Sequence, residues 1–275
     1  MPQYAMGLRK DTPDYRDRHF RTSWLQVGKL RQKFMAALLP AAMDLRKEGH
    51  EPGVFDQGSL GSCASQSAAQ VLAHVLGDQG EVVKIFSRLF LYGNARGWAD
   101  EDTGSTLRDV WKGVAKYGVP YEELWPYDTR QWRIKPPQPV WDAAVHRSEG
   151  FAYYRIDTVA GAKLCLSEGK PFHLGFGVYR SLYETGPLTN YVVRAPDPNE
   201  PLEGGHAVAC LGYDDDRINP QTGRRGAFLC RNSSGPAWPD ASPEGGGHFW
   251  IPYDLSLERN RDFWWDSWTA RSIAP

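Results

Sequence analysis

A glycine-punctuated loop that runs into a helix constrains this chain more than any other stretch. The loop covers residues 56–62 and includes Gly58 and Gly61. After Cys63, apolar residues recur at the i, i+3, i+4 spacing of one helical face: Ala68, Val71, Leu72, Val75 and Leu76. Cys63 is therefore predicted in the first turn of a helix. There the helix dipole and unpaired backbone N–H groups favour a thiolate and lower the thiol pKa.

Gln57 is the second group of chemical interest in this loop. Its neutral amide stands six residues before Cys63, and the intervening glycines let the loop fold back. The amide and the Cys63 backbone N–H can then converge on one point. Two donors arranged in this way form an oxyanion hole.

A thiol nucleophile also needs a base that accepts its proton and later returns it to the leaving group. Imidazole is the side chain whose pKa lies nearest neutrality. Among the seven histidines, His206 follows two glycines and opens an apolar strand pattern. His74 is interpreted as a packed or surface helix residue, and the other histidines have no motif around them.

These residues resemble the active-site segments of papain-like cysteine peptidases. The nucleophile segment matches at Gln57, Gly58, Gly61, Ser62 and Cys63. His206 lies 143 residues after Cys63, inside the separation of roughly 130 to 150 residues that the family shows. The resemblance implies that Cys63 is the nucleophile, that His206 is the base and that Gln57 contributes to the oxyanion hole.

The sequence around Asn232 is similar to the family's Asn-Ser-Trp-Gly segment, which implies that Asn232 orients His206. Ser234 stands at the tryptophan position, and Ala64 stands where the family has an aromatic residue after the cysteine. Both departures predict less aromatic cover around the catalytic groups. Leu60 replaces a cysteine that is usually disulfide-bonded in the family, so that bridge cannot form.

The resemblance also indicates substrate-binding residues. One group falls where the family presents a glycine-bearing backbone edge to the substrate peptide: Thr103, Gly104 and Ser105. Another group falls beside the catalytic site, and its members are all small and uncharged: Gly175, Gly205 and Ala207. We therefore expect a pocket for a bulky apolar or aromatic side chain at the second residue before the cleaved bond.

Secondary-structure patterns change along the chain. Helices are predicted at 85–92 and 107–114, and strands at 151–156, 172–179, 206–213 and 226–232. Helices first and strands second predict an α+β fold. The resemblance implies a papain-like domain over 39–275, with a mostly helical lobe at about 39–140, an antiparallel sheet or barrel lobe at about 141–275, and the active-site cleft between them.

Two polar or proline-rich stretches complete this outline. Residues 136–139 (Pro-Pro-Gln-Pro) are predicted as a stiff connection between the lobes, and the acidic stretch 100–102 as a solvated loop.

Residues 1–38 differ from the rest of the chain in charge. They carry a net +5, against −6 for the remainder, so this N-terminal arm can lie on the body of the protein. A helical face is predicted in its second half, at Val27, Leu30, Phe34 and Leu38. Because the resemblance begins near Leu39, the arm stands where a pro-segment would be, either removed or kept as a permanent strap.

The overall composition excludes several classes of partner. The net charge of −1 gives no electrostatic reason to expect nucleic acid or an acidic membrane surface. The chain has no apolar run of membrane-spanning length and no classical signal peptide, which fits a cytoplasmic protein or one exported without such a signal. We expect a monomer with no cofactor and no metal, and we interpret Cys165, Cys210 and Cys230 as buried thiols.

The sequence thus predicts a cysteine endopeptidase that acts on peptide or protein substrates and is restrained by its own N-terminal arm. Two alternatives stay open. One is a relative that transfers acyl groups or ligates amides. The other is a catalytically weak or inactive papain-fold binding protein whose arm never leaves the cleft.

Overall fold

The computed structural model describes residues 6–20, 39–144, 151–239, 242–256, 260 and 262–272. The helical face predicted at Val27, Leu30, Phe34 and Leu38 lies outside these residues. Among the helices that are described, none is long and apolar enough to cross a membrane.

Helices come mainly from the first half of the chain. Those in the described residues are α1 (Cys63–Asp78), α2 (Arg88–Ala95), α3 (Leu107–Tyr117), α4 (Gln138–Asp142) and α5 (Val159–Ser167). The helix predicted at 107–114 is present as the first part of α3. The one predicted at 85–92 begins only at Arg88, because the Ser87 side chain accepts a hydrogen bond from the Phe90 N–H (3.2 Å) and caps α2.

The helix α1 lies at the centre of the molecule. Every residue from Cys63 to Gly77 is buried, including polar side chains such as Ser67 and Gln70. The predicted apolar face is therefore only part of the buried surface, since α1 is packed between α2, α3 and the sheet.

The proline-rich stretch at 136–139 differs from the prediction of a stiff connection. Pro137 immediately precedes α4, and Pro139 lies in its first turn. Proline is tolerated there because its missing N–H would have no partner inside the helix. Half of the stretch thus starts a helix.

The second half of the chain supplies most of an antiparallel sheet of seven strands, in the order β2-β7-β3-β4-β5-β6 with β1 paired to β4. The strands are β1 (Ala42–Asp44), β2 (Ala152–Arg155), β3 (Phe172–Tyr179), β4 (Leu202–Ile218), β5 (Arg225–Arg231), β6 (His248–Pro252) and β7 (Trp264–Ser272). Together with the helices this sheet confirms the predicted α+β fold.

The pairing of β3 with β4 positions the residues of interest. Phe176 lies opposite His206, and Gly175 lies opposite Ala207. On the other side of β4, Cys210 pairs with Cys230 of β5, and their sulfur atoms are 3.1 Å apart. All four cysteines of the chain are free and buried, as was predicted for the three outside the nucleophile loop.

Two large apolar cores support this arrangement. One surrounds α1 and contains Phe90 and Trp111, and the other lies on the sheet and contains Phe172 and Phe228. The N-terminal segment 6–20 also belongs to this packing. Its Leu8 pairs with Ser105 in an isolated parallel bridge, and Phe20 is buried in the sheet core.

Candidate active site

Cys63 is the first residue of α1, directly after the loop that the sequence singled out. Tyr127 holds this loop from outside: its hydroxyl lies 2.6 Å from the Ser62 hydroxyl and donates to the Gln57 carbonyl (2.9 Å). Asp102 holds it from a second direction, because its carboxylate accepts the Gly61 N–H (3.0 Å). The sulfur is thereby fixed at the start of a helix that is buried from Cys63 to Gly77.

Leu60 and Asp102 hold the nucleophile loop in the absence of the family's disulfide. The Leu60 side chain is buried against Leu89 and Tyr92, and the hydroxyl of Tyr92 donates to the Asp102 carboxylate. The interpretation of residues 100–102 as a merely solvated loop is therefore wrong for Asp102. Its residue surface is exposed, yet its carboxylate links the nucleophile loop to α2.

His206 and Asn232 are hydrogen-bonded, with 2.7 Å between Nε2 and Oδ1. The same Oδ1 accepts the Ser233 N–H (2.8 Å), which fixes the orientation of the Asn232 amide. His206 must then carry its proton on Nε2, leaving Nδ1 as a base. In the described residues Nδ1 is buried and has no hydrogen-bond partner.

Aromatic cover for this pair comes from β3. The Phe176 ring meets the His206 ring edge to face at 5.8 Å, and His206 is only 2% exposed. Ser234, at the position where cover was expected to be lost, pairs with Asp56 instead. The aromatic cover expected to be lost at positions 64 and 234 is thus supplied by a residue on a different strand.

Gln57 lies in the same buried group. Its Oε1 accepts the Ser233 hydroxyl (2.7 Å), its Nε2 donates to the Leu60 carbonyl (3.0 Å), and its backbone N–H bonds the Ser233 carbonyl (2.8 Å). The nucleophile loop is thus tied directly to the segment that carries Asn232.

The N-terminal segment passes through the site. Leu8 donates its N–H to the Gly205 carbonyl (3.1 Å), Arg9 donates to the Ser105 carbonyl (3.0 Å), and Ser105 donates to the Gly7 carbonyl (2.9 Å). A Cβ atom on Gly7 would lie 1.9 Å from the Gly61 carbonyl oxygen, so the contact is possible only for glycine. Of the three residues predicted to form a binding edge, Gly104 and Ser105 contact this segment, whereas Thr103 is exposed.

The Leu8 side chain occupies the pocket predicted from small residues. A Cβ on Gly175 would lie 2.6 Å from Leu8 Cδ2 and 3.3 Å from Leu107 Cδ1, and one on Gly205 would strike Trp265. Leu8, Cys63 and Ala207 belong to one buried cluster. Gly7, Leu8, Leu107 and Trp265 were not predicted as site residues; the signal in the sequence was the short apolar stretch Met6-Gly7-Leu8 before a charged run.

Polar contacts also anchor the N-terminal segment between Asp11 and Asp17. The Arg108 guanidinium, at the start of α3, donates to both Asp17 carboxylate oxygens (2.9 and 2.6 Å) and to the Thr12 carbonyl (2.7 Å). Asp11 accepts the Trp268 indole N–H (2.8 Å), and burial together with the nearby Asp266 carboxylate raises the pKa of Asp11 to about 6.

Burial also decides the ionisation of Cys63 and His206. It raises the pKa of the Cys63 thiol to about 11 and lowers the pKa of His206 to about 4. The expected lowering of the thiol pKa by the helix start is therefore wrong for this covered site. At neutral pH both groups are therefore uncharged: Cys63 is a thiol and His206 a neutral imidazole.

Comparison with known proteins agrees with this geometry. The family model described as papain family cysteine protease matches residues 39–242. An uncharacterized peptidase C1-like protein of Acanthamoeba polyphaga mimivirus is 31% identical, over 94% of this chain and 85% of that protein.

Solved structures give the same result. Xylellain, a cysteine protease from Xylella fastidiosa, is 30% identical and superposes with a TM-score of 0.76, covering 98% of this chain and 97% of its own. Procathepsin B of Trypanosoma congolense shares the fold with a TM-score of 0.70, 17% identity and coverage of 98% of this chain and 87% of its own. The chain therefore belongs to the papain family of cysteine proteases and is a cysteine peptidase.

Proposed function

We propose that this peptidase cleaves internal peptide bonds with Cys63, His206, Asn232 and Gln57, and that residues 6–20 act as a strap that covers its cleft. The observation that carries the proposal is the position of Gly7 and Leu8. Leu8 fills the pocket beside Cys63, and Gly7 touches the nucleophile loop. A peptide substrate would need the same space.

In the proposed reaction His206 Nδ1 takes the proton of the Cys63 thiol, and the thiolate forms a bond to the carbonyl carbon of the substrate. Gln57 Nε2 and the Cys63 N–H stabilise the oxyanion. The C–N bond breaks as His206 returns the proton to the leaving amine. A water molecule then gives a proton to His206, and the remaining hydroxide attacks the thioester carbon. The C–S bond breaks to release the acid, and His206 returns the proton to the Cys63 sulfur, which restores the thiol.

Asn232 positions the base rather than contacting the substrate. Its bond to Nε2 keeps the proton on that nitrogen, so Nδ1 faces the reaction with a lone pair. The two bonds that the Gln57 side chain makes to Ser233 and Leu60 support its role, because they fix the plane of its amide before substrate arrives.

The strap is held in an orientation that does not favour its own cleavage. Its bridge to Ser105 is parallel, and the Gly7 carbonyl accepts the Ser105 N–H. That carbonyl is thus engaged with the edge at Ser105 instead of the oxyanion hole. Because the strap also buries Cys63 and keeps it a thiol, uncovering the site should be required for activity.

The variant Gly7→Ala tests the strap. The added methyl group would overlap the Gly61 carbonyl, and such overpacking costs about 1–3 kcal/mol. We expect alkylation of Cys63 by iodoacetamide at pH 7, and turnover of a fluorogenic peptide amide, to rise on the order of tenfold over the unaltered chain.

Tyr15→Ala is the matched control, because Tyr15 lies on the same segment and is 97% exposed. It should leave both rates unchanged. If Gly7→Ala reacts no faster than Tyr15→Ala, the strap does not limit access to the thiol and this part of the proposal fails.

The catalytic roles are tested in the Gly7→Ala chain. Cys63→Ala should abolish turnover, and Asn232→Ala should lower kcat on the order of 10²-fold while leaving turnover measurable. Cys165→Ala removes a buried thiol outside the site and should retain activity. Turnover that survives Cys63→Ala, or is lost equally in Cys165→Ala, would exclude these roles.

A further inference from the structure

A second cluster of ionisable side chains lies at the far end of α1 from Cys63. His74 is on the last turns of α1, eleven residues after Cys63 and therefore roughly 16 Å along the helix. Glu48 ends the short 3₁₀ turn Leu45–Glu48, and His50 follows it. Neither the proposed reaction nor the strap uses any of these three side chains.

Their ligating atoms converge. Glu48 Oε2 lies 3.2 Å from His74 Nε2 and 3.9 Å from His50 Nδ1. One atom from each side chain can be chosen so that all three lie within 4.8 Å of one another. Ligands of a tetrahedral zinc ion are about 3.3 Å apart when each bond is about 2.0 Å. The distance between Glu48 Oε2 and His74 Nε2 already has this value, and small side-chain movements would shorten the distances to His50.

The two imidazoles have few other partners, and the backbone of Gly169 is the one that reaches His74. The His74 side chain is 1% exposed, and neither of its ring nitrogens makes a well-formed hydrogen bond to any described residue. His50 Nδ1 is likewise buried without such a bond, and the ring packs against Gly77 of α1. Buried polar atoms are normally hydrogen-bonded, so three unsatisfied nitrogens in one place call for a partner.

The surroundings suit a cation. The cluster lies beside the C-terminal end of α1, whose last turn contains no basic residue, and helix C-termini carry partial negative charge. Asp78 adds a carboxylate nearby, and it is paired with Lys170 of the loop between α5 and β3 (2.9 Å). Side chains of Glu48 and His50 are 34% and 30% exposed, which leaves room for a water as fourth ligand.

We propose that Glu48, His50 and His74 form a binding site for one divalent transition-metal ion, with zinc as the cation whose preference for imidazole and carboxylate ligands fits best. Bound there, the ion would join the turn Leu45–Glu48, which precedes the nucleophile loop, to the C-terminal end of α1. Its role is to stabilise this junction. It takes no part in peptide hydrolysis.

The test uses the full chain with Cys63→Ala, so that the catalytic thiol cannot bind metal. After removal of metals with EDTA and dialysis, the protein is titrated with zinc chloride in competition with a chromophoric chelator. We expect one zinc ion per chain and a rise in Tm on binding. Glu48→Gln and His50→Gln should each weaken this binding at least about tenfold, and their partly exposed positions should leave the metal-free Tm unchanged.

His19→Gln is the matched control, since His19 is an exposed histidine paired with Asp157 outside the cluster. It should bind zinc as the parent does. Cobalt(II) gives an independent readout: a tetrahedral d–d spectrum without a thiolate-to-cobalt charge-transfer band indicates nitrogen and oxygen ligands. The proposal is overturned if the parent binds no zinc, if Glu48→Gln and His50→Gln bind it equally well, or if the cobalt spectrum shows thiolate ligation.

Discussion

Gly175 sets the depth of the pocket that Leu8 fills. The Cβ position of this residue faces Leu8 on one side and Leu107 on the other, so the pocket exists because no side chain is present there. Its floor and walls are apolar, and the buried leucine shows what size of group fits. In the proposed function, the same pocket selects the second residue before the cleaved bond.

Gly175→Ala is predicted to make the pocket smaller and to weaken the preference for leucine. The extra methyl group would take the place of a leucine side-chain methyl, and one methylene in an apolar pocket changes specificity by about 1–3 kcal/mol. The ratio of kcat/KM for substrates with leucine and with alanine at that position should fall about tenfold. This ratio is measured on one enzyme preparation, so it does not depend on how many molecules have an uncovered cleft.

Gly186→Ala provides the control, because a Cβ there meets nothing closer than 4.0 Å. The leucine-to-alanine ratio should stay at the parent value in this variant. An unchanged ratio in Gly175→Ala would place the selective pocket elsewhere.

Arg108 connects two elements, the helix α3 and the N-terminal strap. Its side chain and that of Asp17 are only 6% and 8% exposed, and the guanidinium makes a two-pronged contact with the carboxylate. The fork also reaches the Thr12 carbonyl. Lysine has one charged nitrogen and cannot reproduce this geometry.

Arg108→Lys should therefore loosen the strap while keeping the positive charge. We expect alkylation of Cys63 and turnover in the otherwise unaltered full chain to increase several-fold. Arg130→Lys serves as the control, since Arg130 makes a similar contact but is 88% exposed, and its partner Asp128 is not part of the strap. Equal rates in Arg108→Lys, Arg130→Lys and the parent would show that this ion pair does not hold the strap.

The boundaries of helices were predicted correctly only where the residues of the helix itself set them. The start of α1 follows from the loop and the apolar spacing after Cys63, and α3 follows from its own pattern. Residues 85–92 were placed too early because a side-chain cap at Ser87 outweighs apolar spacing. The short α4 was missed because prolines in a first turn look the same in sequence as prolines in a connection.

Several histidines are buried in the folded chain as neutral groups, and this makes stability depend on pH. Outside the proposed metal site, burial lowers the pKa of His173 to about 3 and those of His206 and His248 to about 4. In the unfolded chain each titrates near 6.5. Protons therefore bind the unfolded chain more readily between these values, and stability falls as the pH drops below 6.5.

The Tm of the full chain should accordingly decrease on the order of 10 °C between pH 7 and pH 5. Asp11 opposes this trend, because its raised pKa of about 6 makes the folded chain bind a proton in the same range. One carboxyl group offsets only part of the effect of three histidines. Scanning calorimetry across this pH range measures the slope.

His173→Gln tests the origin of the slope. His173 is fully buried, and its Nε2 accepts the Trp111 indole N–H (2.6 Å). Its replacement should lower the Tm at pH 7 and make the decrease toward pH 5 about one third smaller. His19→Gln changes an exposed histidine and should leave the slope as it is. A Tm that is constant from pH 7 to pH 5 contradicts the prediction.

The family, the fold class and the residues proposed for the site could all be predicted from the sequence. These follow from local features: a helix start, a strand start, and the residue types and spacing of Gln57, Cys63, His206 and Asn232. The family resemblance also placed the small residues at positions 175, 205 and 207 beside the site, and their size predicted an apolar pocket there.

The side chains that occupy and surround the site could be seen only in the folded protein. The cover over His206 comes from Phe176, the loop is held by Asp102, and Leu8 fills the pocket, all through contacts between residues far apart in sequence. The pKa of the Cys63 thiol is raised, and not lowered as the sequence predicted, for the same reason. A helix start favours the thiolate, but burial beneath the strap opposes it more strongly, and burial depends on how the whole chain packs.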